Sequence, residues 1–132
     1  MLEIPADRSL SVLLVEDSKV LAERLSEMLS AIAGLDLAAV VDTEAAALGA
    51  VEDNDIDVML LDLHLRQGTG FGVLRGLTRQ SKRRPVVIVL TNYDLAEYRR
   101  TATALGAEYF LDKVRDVDQL PDVMDEIRAA LN

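Results

Sequence analysis

Strand-like and helix-like hydrophobic patterns alternate five times along this chain, and that alternation is the strongest constraint on its fold. The strand-like segments are short runs of consecutive apolar residues, whereas the segments between them repeat apolar residues at helical spacing. Strands are predicted at residues 10–15, 36–41, 56–62, 85–90 and 108–112. Helices are predicted at residues 18–32, 43–52, 94–105 and about 119–131, and a further helix leaves the loop at 68–72 and ends near residue 80. Strict alternation with short connections predicts a parallel sheet covered by helices on both faces.

The order of the strands follows from general rules of α/β folds. Residues 58–61 and 86–90 are apolar without interruption, as is typical of central strands buried on both faces. Right-handed crossovers restrict the topology to a doubly wound sheet. We therefore expect an α/β, flavodoxin-like (βα)5 parallel sheet with the strand order 2-1-3-4-5, which places the first and third strands side by side.

Local signals mark the ends of two helices. Ser18 is the expected N-cap of the first helix, and Gly34 is expected to end it. Asp116 and Gln119 resemble a capping box at the start of the last helix, although Pro121 favours a start nearer residue 119 or 120. The first helix is expected to turn one apolar face to the core, formed by Val20, Leu21, Leu25, Met28, Leu29 and Ile32.

Length and composition fit one domain, residues 1–132 with a core at about 10–131, and they exclude several classes of function. The net charge of −9 argues against direct binding of nucleic acid, which depends on Lys and Arg. The apolar stretches are too short to span a membrane, and residues 1–8 do not resemble a signal peptide. The absence of cysteine excludes disulfides, thiolate catalysis and cysteine-ligated metals, and it fits a cytoplasmic protein.

Polar residues that suit phosphoryl chemistry follow four of the predicted strands: Glu16, Asp17, Asp62, Thr91 and Lys113. Ligands bind outside the carboxyl ends of the strands in an open parallel sheet, so these side chains are expected to meet at one rim. Three crowded carboxylates repel one another, and Mg²⁺ offsets such repulsion because it prefers oxygen ligands. Aspartate is an established covalent phosphoryl acceptor. The set therefore indicates a magnesium-dependent phosphoryl site centred on Asp62.

Each of these residues also has a simpler structural interpretation. The Glu16-Asp17 pair fits a polar turn that caps the following helix, and Thr91 fits a cap for a helix starting near Tyr93. Lys113 fits an ordinary exposed lysine. Their coincidence at successive strand ends favours the functional interpretation.

The chain resembles a two-component response-regulator receiver domain over about residues 10–130. The resemblance is carried by the Glu16-Asp17 pair and by the stretches at residues 60–70, 90–92 and 106–113. It implies that Asp62 is the phosphoacceptor and that Glu16, Asp17 and Asp62 bind Mg²⁺.

The same resemblance assigns roles to four further residues. The backbone carbonyl of His64 is a further metal ligand, Thr91 and Lys113 contact the phosphoryl group, and Phe110 is the aromatic residue of the switch. The implied phosphoryl donor is a sensor histidine kinase or a phosphotransfer protein. The implied output is a change in the fourth helix, fifth strand and fifth helix, a face that meets a downstream protein or a second copy in a homodimer. The resemblance fits equally a stand-alone receiver and a piece of a larger regulator or hybrid kinase.

Two positions depart from the family pattern. Val114 stands where the family often has a proline in a cis peptide, and Arg66 stands where it often has a proline four residues after the phosphoacceptor. A cis bond before a residue other than proline is costly, so we expect a trans peptide at Val114. Both changes are expected to alter the loops around the site.

Three sequence features keep more than one interpretation. His64 is either a metal-binding or phosphoryl-carrying imidazole or, as we prefer, an exposed loop side chain. The glycines at residues 68–72 fit a turn before a helix better than a dinucleotide loop. The basic residues at 79–84 fit a solvated helix end, with docking of an acidic partner as the alternative.

Two other functions compete with the receiver. A magnesium-dependent phosphatase with an aspartyl-phosphate intermediate usually needs a second aspartate two residues after the nucleophile, where this chain has His64. A pseudo-receiver, which binds partners without being phosphorylated, is disfavoured by the complete set of Asp62, Thr91, Lys113 and the acidic pair.

Overall fold

The computed structural model describes residues 9–80 and 82–131. Five parallel strands form one sheet in the order β2-β1-β3-β4-β5, which confirms the predicted topology. The strands are β1 Leu10–Val15, β2 Leu35–Val41, β3 Val58–Leu61, β4 Val86–Thr91 and β5 Tyr109–Asp112. The helices are α1 Lys19–Ala31, α2 Glu44–Asp53, α3 Gly70–Leu77, α4 Ala96–Ala104 and α5 Leu120–Leu131, and a single 3-10 turn, Val117–Gln119, precedes α5. None of the described helices is long and apolar enough to cross a membrane.

Two separate apolar cores cover the faces of the sheet. Side chains alternate along a strand, so Met59 points to one face and its neighbour Leu60 to the other. Helices α2, α3 and α4 cover the face that contains Met59, and α1 and α5 cover the face that contains Leu60. β1, β3 and β4 are thus buried on both sides, and the rim at their carboxyl ends is left for polar groups.

Helix α1 begins as predicted and packs its predicted face against the core, except for Val20. The Ser18 hydroxyl accepts a hydrogen bond from the Leu21 N–H at 3.3 Å, which confirms the N-cap. The helix ends at Ala31, before the turn in which Gly34 adopts a φ of 84°. The prediction that Val20 belongs to the core face is wrong, because its side chain is 66% exposed while Leu21 packs against the core. Successive helical residues are about 100° apart, which places Val20 beyond the edge of the apolar stripe that Leu21, Leu25 and Leu29 share.

The segment after α3 also differs from its prediction. The helix ends at Leu77 rather than near residue 80, so the basic residues at 82–84 lie in a loop and not at a helix end. Arg83 forms a 2.6 Å ion pair with the buried Asp57, and Arg84 donates to the Leu105 carbonyl at 2.6 Å. These contacts anchor the loop beside the amino ends of β3 and β4.

The start of α5 agrees with the position of its proline. The helix begins at Leu120, which confirms a start near residue 120. Asp116 does not cap a helical N–H. Its carboxylate accepts the Asp112 N–H at 2.9 Å and the Gln119 side chain at 3.3 Å, so it closes the loop after β5 instead.

Candidate functional site

The backbone brings the predicted site residues to one rim. The Glu16 N–H donates to the Val41 carbonyl, and the Asp62 N–H donates to the Val15 carbonyl, both at 2.9 Å. The Lys113 N–H donates to the carbonyl of Thr91, also at 2.9 Å. Each residue therefore continues the hydrogen-bond ladder just past the end of a strand, and the side chains stand side by side.

A buried lysine joins two of the carboxylates. Lys113 Nζ lies 2.8 Å from Glu16 Oε1 and 3.0 Å from Asp62 Oδ2. All three side chains are buried, with exposures of 6%, 2% and 5% respectively. Breaking such a buried ion pair is costly because the remaining charge loses its partner, so this triad has one well-defined arrangement.

The acidic cluster matches the donor set of a hard cation. Glu16, Asp17 and Asp62 each offer an oxygen, and these atoms lie within 4.8 Å of one another. Asp17 is exposed, and an open cavity of about 230 Å³ adjoins it, lined in part by Glu16, Lys19 and Asp42. Mg²⁺ takes oxygen ligands at about 2.0–2.1 Å and keeps several waters, so three carboxylates with an open side fit it.

Burial and the lysine act in opposite directions on the acids. Burial raises the pKa of Glu16 to about 7, although its hydrogen bond with Lys113 lowers it. Burial also raises the pKa of Asp62, again against the charge of Lys113. Burial on its own lowers the pKa of Lys113, but its bonds and charge interactions with Glu16 and Asp62 raise it overall. Within the buried triad, two carboxylates therefore share the one ammonium of Lys113.

Thr91, the last residue of β4, is the predicted site residue that the fourth strand brings to the rim. Its side chain is fully buried, and Oγ1 accepts the Tyr93 N–H at 3.2 Å. Helix α4 begins at Ala96 with Leu95 as its N-cap, so Thr91 does not cap that helix. Its hydroxyl lies within the turn that connects the rim to α4.

His64 is exposed, as the simpler interpretation expects. Its N–H donates to Asp62 Oδ1 at 3.2 Å, and its ring lies 4.5 Å from the Tyr93 ring between centroids. Tyr98 lies 6.2 Å from His64 and 5.6 Å from Phe71. Sequence reasoning missed this aromatic cluster because its members lie on α3, α4 and two loops. The sequence gives one indication of the cluster: the chain is only 4% aromatic, yet three of its five Phe and Tyr residues belong to the cluster.

The two departures from the family pattern have local explanations. The Arg66 N–H donates to the Asp42 carbonyl at 3.1 Å, a bond that proline cannot make, and its Nε lies 3.0 Å from Asp42 Oδ2. No peptide bond among the described residues is cis, which confirms the expected trans peptide at Val114. Val114 is 83% exposed, and its N–H donates to Asp112 Oδ1 at 2.8 Å.

Phe110 lies below the rim on β5 and is 8% exposed. The Arg99 guanidinium lies over its ring, 4.7 Å from the centroid, in the geometry of a cation–π contact. The position expected for the switch aromatic is thus buried and covered by a charged side chain of α4.

This combination defines a class: a doubly wound domain whose rim presents a buried, lysine-paired aspartate inside a carboxylate cluster. Residues 12–125 match the response regulator receiver domain, and the chain belongs to that family. The sensory transduction protein LytT of Enterococcus faecalis is 28% identical over 87% of the chain. The protein-glutamate methylesterase/protein-glutamine glutaminase 1 of Paramagnetospirillum magneticum is 30% identical over 95% of it. The chain spans 46% and 35% of the lengths of these two relatives.

Solved receiver domains share the fold. A Francisella response regulator receiver domain superimposes with a TM-score of 0.83 at 22% identity, covering 94% of this chain and 100% of the other. The receiver domain of a sensor histidine kinase from Pseudomonas aeruginosa gives a TM-score of 0.81 at 24% identity, covering 92% and 98%. That structure has a magnesium ion coordinated in its active site cleft. The chain is therefore a receiver domain, the class of module that accepts phosphoryl groups in two-component systems.

Proposed function

We propose that Asp62 accepts a phosphoryl group and that Glu16, Asp17, Asp62 and the backbone carbonyl of His64 hold Mg²⁺. The observation that carries this proposal is the position of the Asp62 carboxylate. It is buried, lies 3.0 Å from Lys113 Nζ, and belongs to the three-carboxylate cluster.

The side chains divide the chemistry between them. An Asp62 oxygen attacks the phosphorus of a phosphohistidine in line, so the new P–O bond forms as the P–N bond breaks and the imidazole leaves. Lys113 and the Thr91 hydroxyl interact with the phosphoryl oxygens and fix their orientation. A bound Mg²⁺ supplies further neutralisation of the developing charge.

The donor is a sensor histidine kinase or a phosphotransfer protein. It approaches the open side of the rim, where Asp17 is exposed and the apolar side chains of Val20 and Val114 are 66% and 83% exposed. Exposed apolar side chains beside a polar site are suited to partner contact. We place this exchange in the cytoplasm, as the sequence predicts.

The output is a switch and not turnover of a substrate. Phosphorylation moves Thr91 and Phe110 and changes the face formed by α4, β5 and α5, which binds a downstream protein or a second copy. A phosphatase reaction is less well supported, because the residue two places after Asp62 is His64, whose ring packs against Tyr93 rather than facing a leaving group.

The test is phosphorylation by acetyl phosphate with Mg²⁺, followed by intact-mass spectrometry. The wild type is expected to gain one phosphoryl group, and the gain should disappear in Asp62→Asn and with EDTA. Asp36→Asn is the matched control, because Asp36 is an exposed acid near the amino end of β2. Equal labelling of Asp62→Asn and the wild type contradicts the assignment. A chain that takes up neither a phosphoryl group nor beryllofluoride is a pseudo-receiver.

A further inference from the structure

One carboxylate on the loop between β4 and α4 holds two arginines. Asp94 Oδ1 lies 3.0 Å from Arg99 Nη2, and Asp94 Oδ2 lies 2.5 Å from Arg115 Nη2. Arg99 belongs to α4, and Arg115 belongs to the loop between β5 and α5. A single side chain therefore connects its own loop and the helix that follows it to the distant loop between β5 and α5.

Each arginine extends the connection further. Arg99 covers the Phe110 ring and points Nη1 at the Phe110 carbonyl, 3.5 Å away. Arg115 Nε lies 3.2 Å from Asp116, whose carboxylate also accepts the Asp112 N–H at the end of β5. The position of Phe110 and the start of the last helical segment thus depend on the same network.

The network begins close to Thr91. The Tyr93 N–H donates to Thr91 Oγ1 at 3.2 Å, and the Leu95 N–H donates to the Tyr93 carbonyl at 2.8 Å. Asp94 lies inside this tight turn. The bond to the Thr91 hydroxyl is therefore one of the two that hold the turn containing Asp94.

We propose that Asp94 is an electrostatic clasp that holds α4, β5 and the loop after β5 in the arrangement seen here. The clasp opens when Thr91 turns towards a phosphoryl group on Asp62, and its opening frees Arg99 and Phe110. This inference rests on the proposed function and deepens it, because it names the contacts that the phosphoryl signal must break.

Thermodynamic linkage makes the clasp measurable. A ligand that prefers the open arrangement binds more tightly when the closed arrangement is weakened. Beryllofluoride with Mg²⁺ mimics the phosphoryl group, so Asp94→Asn should raise its affinity. Two partly exposed ion pairs and one cation–π contact predict an increase of about three- to tenfold.

The matched control is Glu97→Gln. Glu97 is an exposed acid in the first turn of α4, so this variant removes the same charge from the same region without touching the two arginines. Arg115→Gln should reproduce part of the increase, and its combination with Asp94→Asn should be less than additive. Affinity of Asp94→Asn equal to or below that of Glu97→Gln overturns the clasp.

A second measurement needs no ligand. Asp94→Asn should increase amide hydrogen exchange in α4 and in residues 113–116 relative to both Glu97→Gln and the wild type. Unchanged exchange in those segments overturns the clasp even if no beryllofluoride binds. Failure of the wild type to bind beryllofluoride, with faster exchange in Asp94→Asn, contradicts the phosphoacceptor proposal and leaves the clasp supported.

Discussion

Glu16 combines nearly complete burial with two charged neighbours, Lys113 and Asp62. Because burial raises its pKa to about 7, the folded domain binds a proton there over a range where the unfolded chain, with a pKa near 4.5, does not. The folded state is then the better proton binder between about pH 4.5 and 7, so its stability falls as the pH rises through that range.

We predict that the metal-free wild type unfolds at lower urea concentration at pH 7.5 than at pH 5. Glu16→Gln should reduce this difference, because the amide can still accept the Ser18 N–H but does not titrate. Asp62 and Glu108 account for the remainder, because burial raises their pKa values too.

Asp94 and Asp116 do not contribute to the difference between pH 5 and pH 7.5. Their arginine partners lower their pKa values, so these two acids affect stability only below about pH 4. Urea midpoints measured in EDTA at both pH values check the prediction. A difference between the two midpoints that is as large in Glu16→Gln as in the wild type contradicts it.

The tilted ring pair of His64 and Tyr93 lies next to Asp62 and Thr91. The His64 N–H bonds to Asp62, and the Tyr93 N–H bonds to Thr91, so the two rings join the loops that follow β3 and β4. We predict that His64→Ala and Tyr93→Ala each speed loss of the phosphoryl group by about two- to tenfold, the range expected from one aromatic pair.

The double variant should be no faster than either single one, because both changes break the same contact. Intact-mass time courses after removal of acetyl phosphate measure the rates. Tyr109→Leu is the control, because Tyr109 packs against the core covered by α1 and α5, away from the two rings. A change of equal size in the rate of phosphoryl loss in this control argues against a local effect of the rings.

Single residues were predictable where topology alone places them. Glu16, Asp17, Asp62 and Lys113 gather because parallel strands deliver their carboxyl ends to one rim, a rule that needs no side-chain geometry. The Asp94 network and the aromatic cluster depend on how loops fold over the rim, and neither has a periodic signal in the sequence.

At the scale of elements, the loop after β3 is paired with the start of α2. The Glu44 N–H donates to the Gln67 carbonyl, the Arg66 N–H donates to the Asp42 carbonyl, and the Thr69 N–H donates to the Glu44 carboxylate. The loop that follows Asp62 is thereby fixed by contacts that a proline at position 66 weakens.

We predict that Arg66→Ala hardly changes stability, because it removes only an exposed ion pair. Proline at the same position also removes the N–H, and a lost backbone hydrogen bond costs about 1 kcal/mol. Urea unfolding of Arg66→Ala and Arg66→Pro without metal separates the two effects. Equal stability of the two variants shows that the backbone bond contributes nothing.

Helix boundaries were less predictable than strand positions. The first helix packs Leu21 against the core and leaves Val20 exposed. Helix α3 ends at Leu77, and the basic residues of the loop that follows bond to Asp57 and to the Leu105 carbonyl. Those tertiary partners are distant in sequence, so helical periodicity carries no information about them.

At the scale of the whole molecule, the net charge of −9 and the crowded carboxylates of the rim both destabilise the folded state. Self-repulsion weakens the compact state, and the rim concentrates part of it around Asp62. A divalent cation that binds only the folded rim should therefore stabilise the entire domain through linkage.

We predict that Mg²⁺ raises the free energy of unfolding by about 2.7 kcal/mol when its concentration is one hundred times the dissociation constant. Asp17→Asn removes one donor from the cluster and should lose most of this gain, whereas Asp36→Asn removes the same charge from β2 and should keep it. Thermal unfolding in Mg²⁺ and in NaCl of equal ionic strength separates site binding from general screening. An equal gain in both salts, or an equal response of the two variants, shows that the cation acts on the overall charge of the chain and not on the rim.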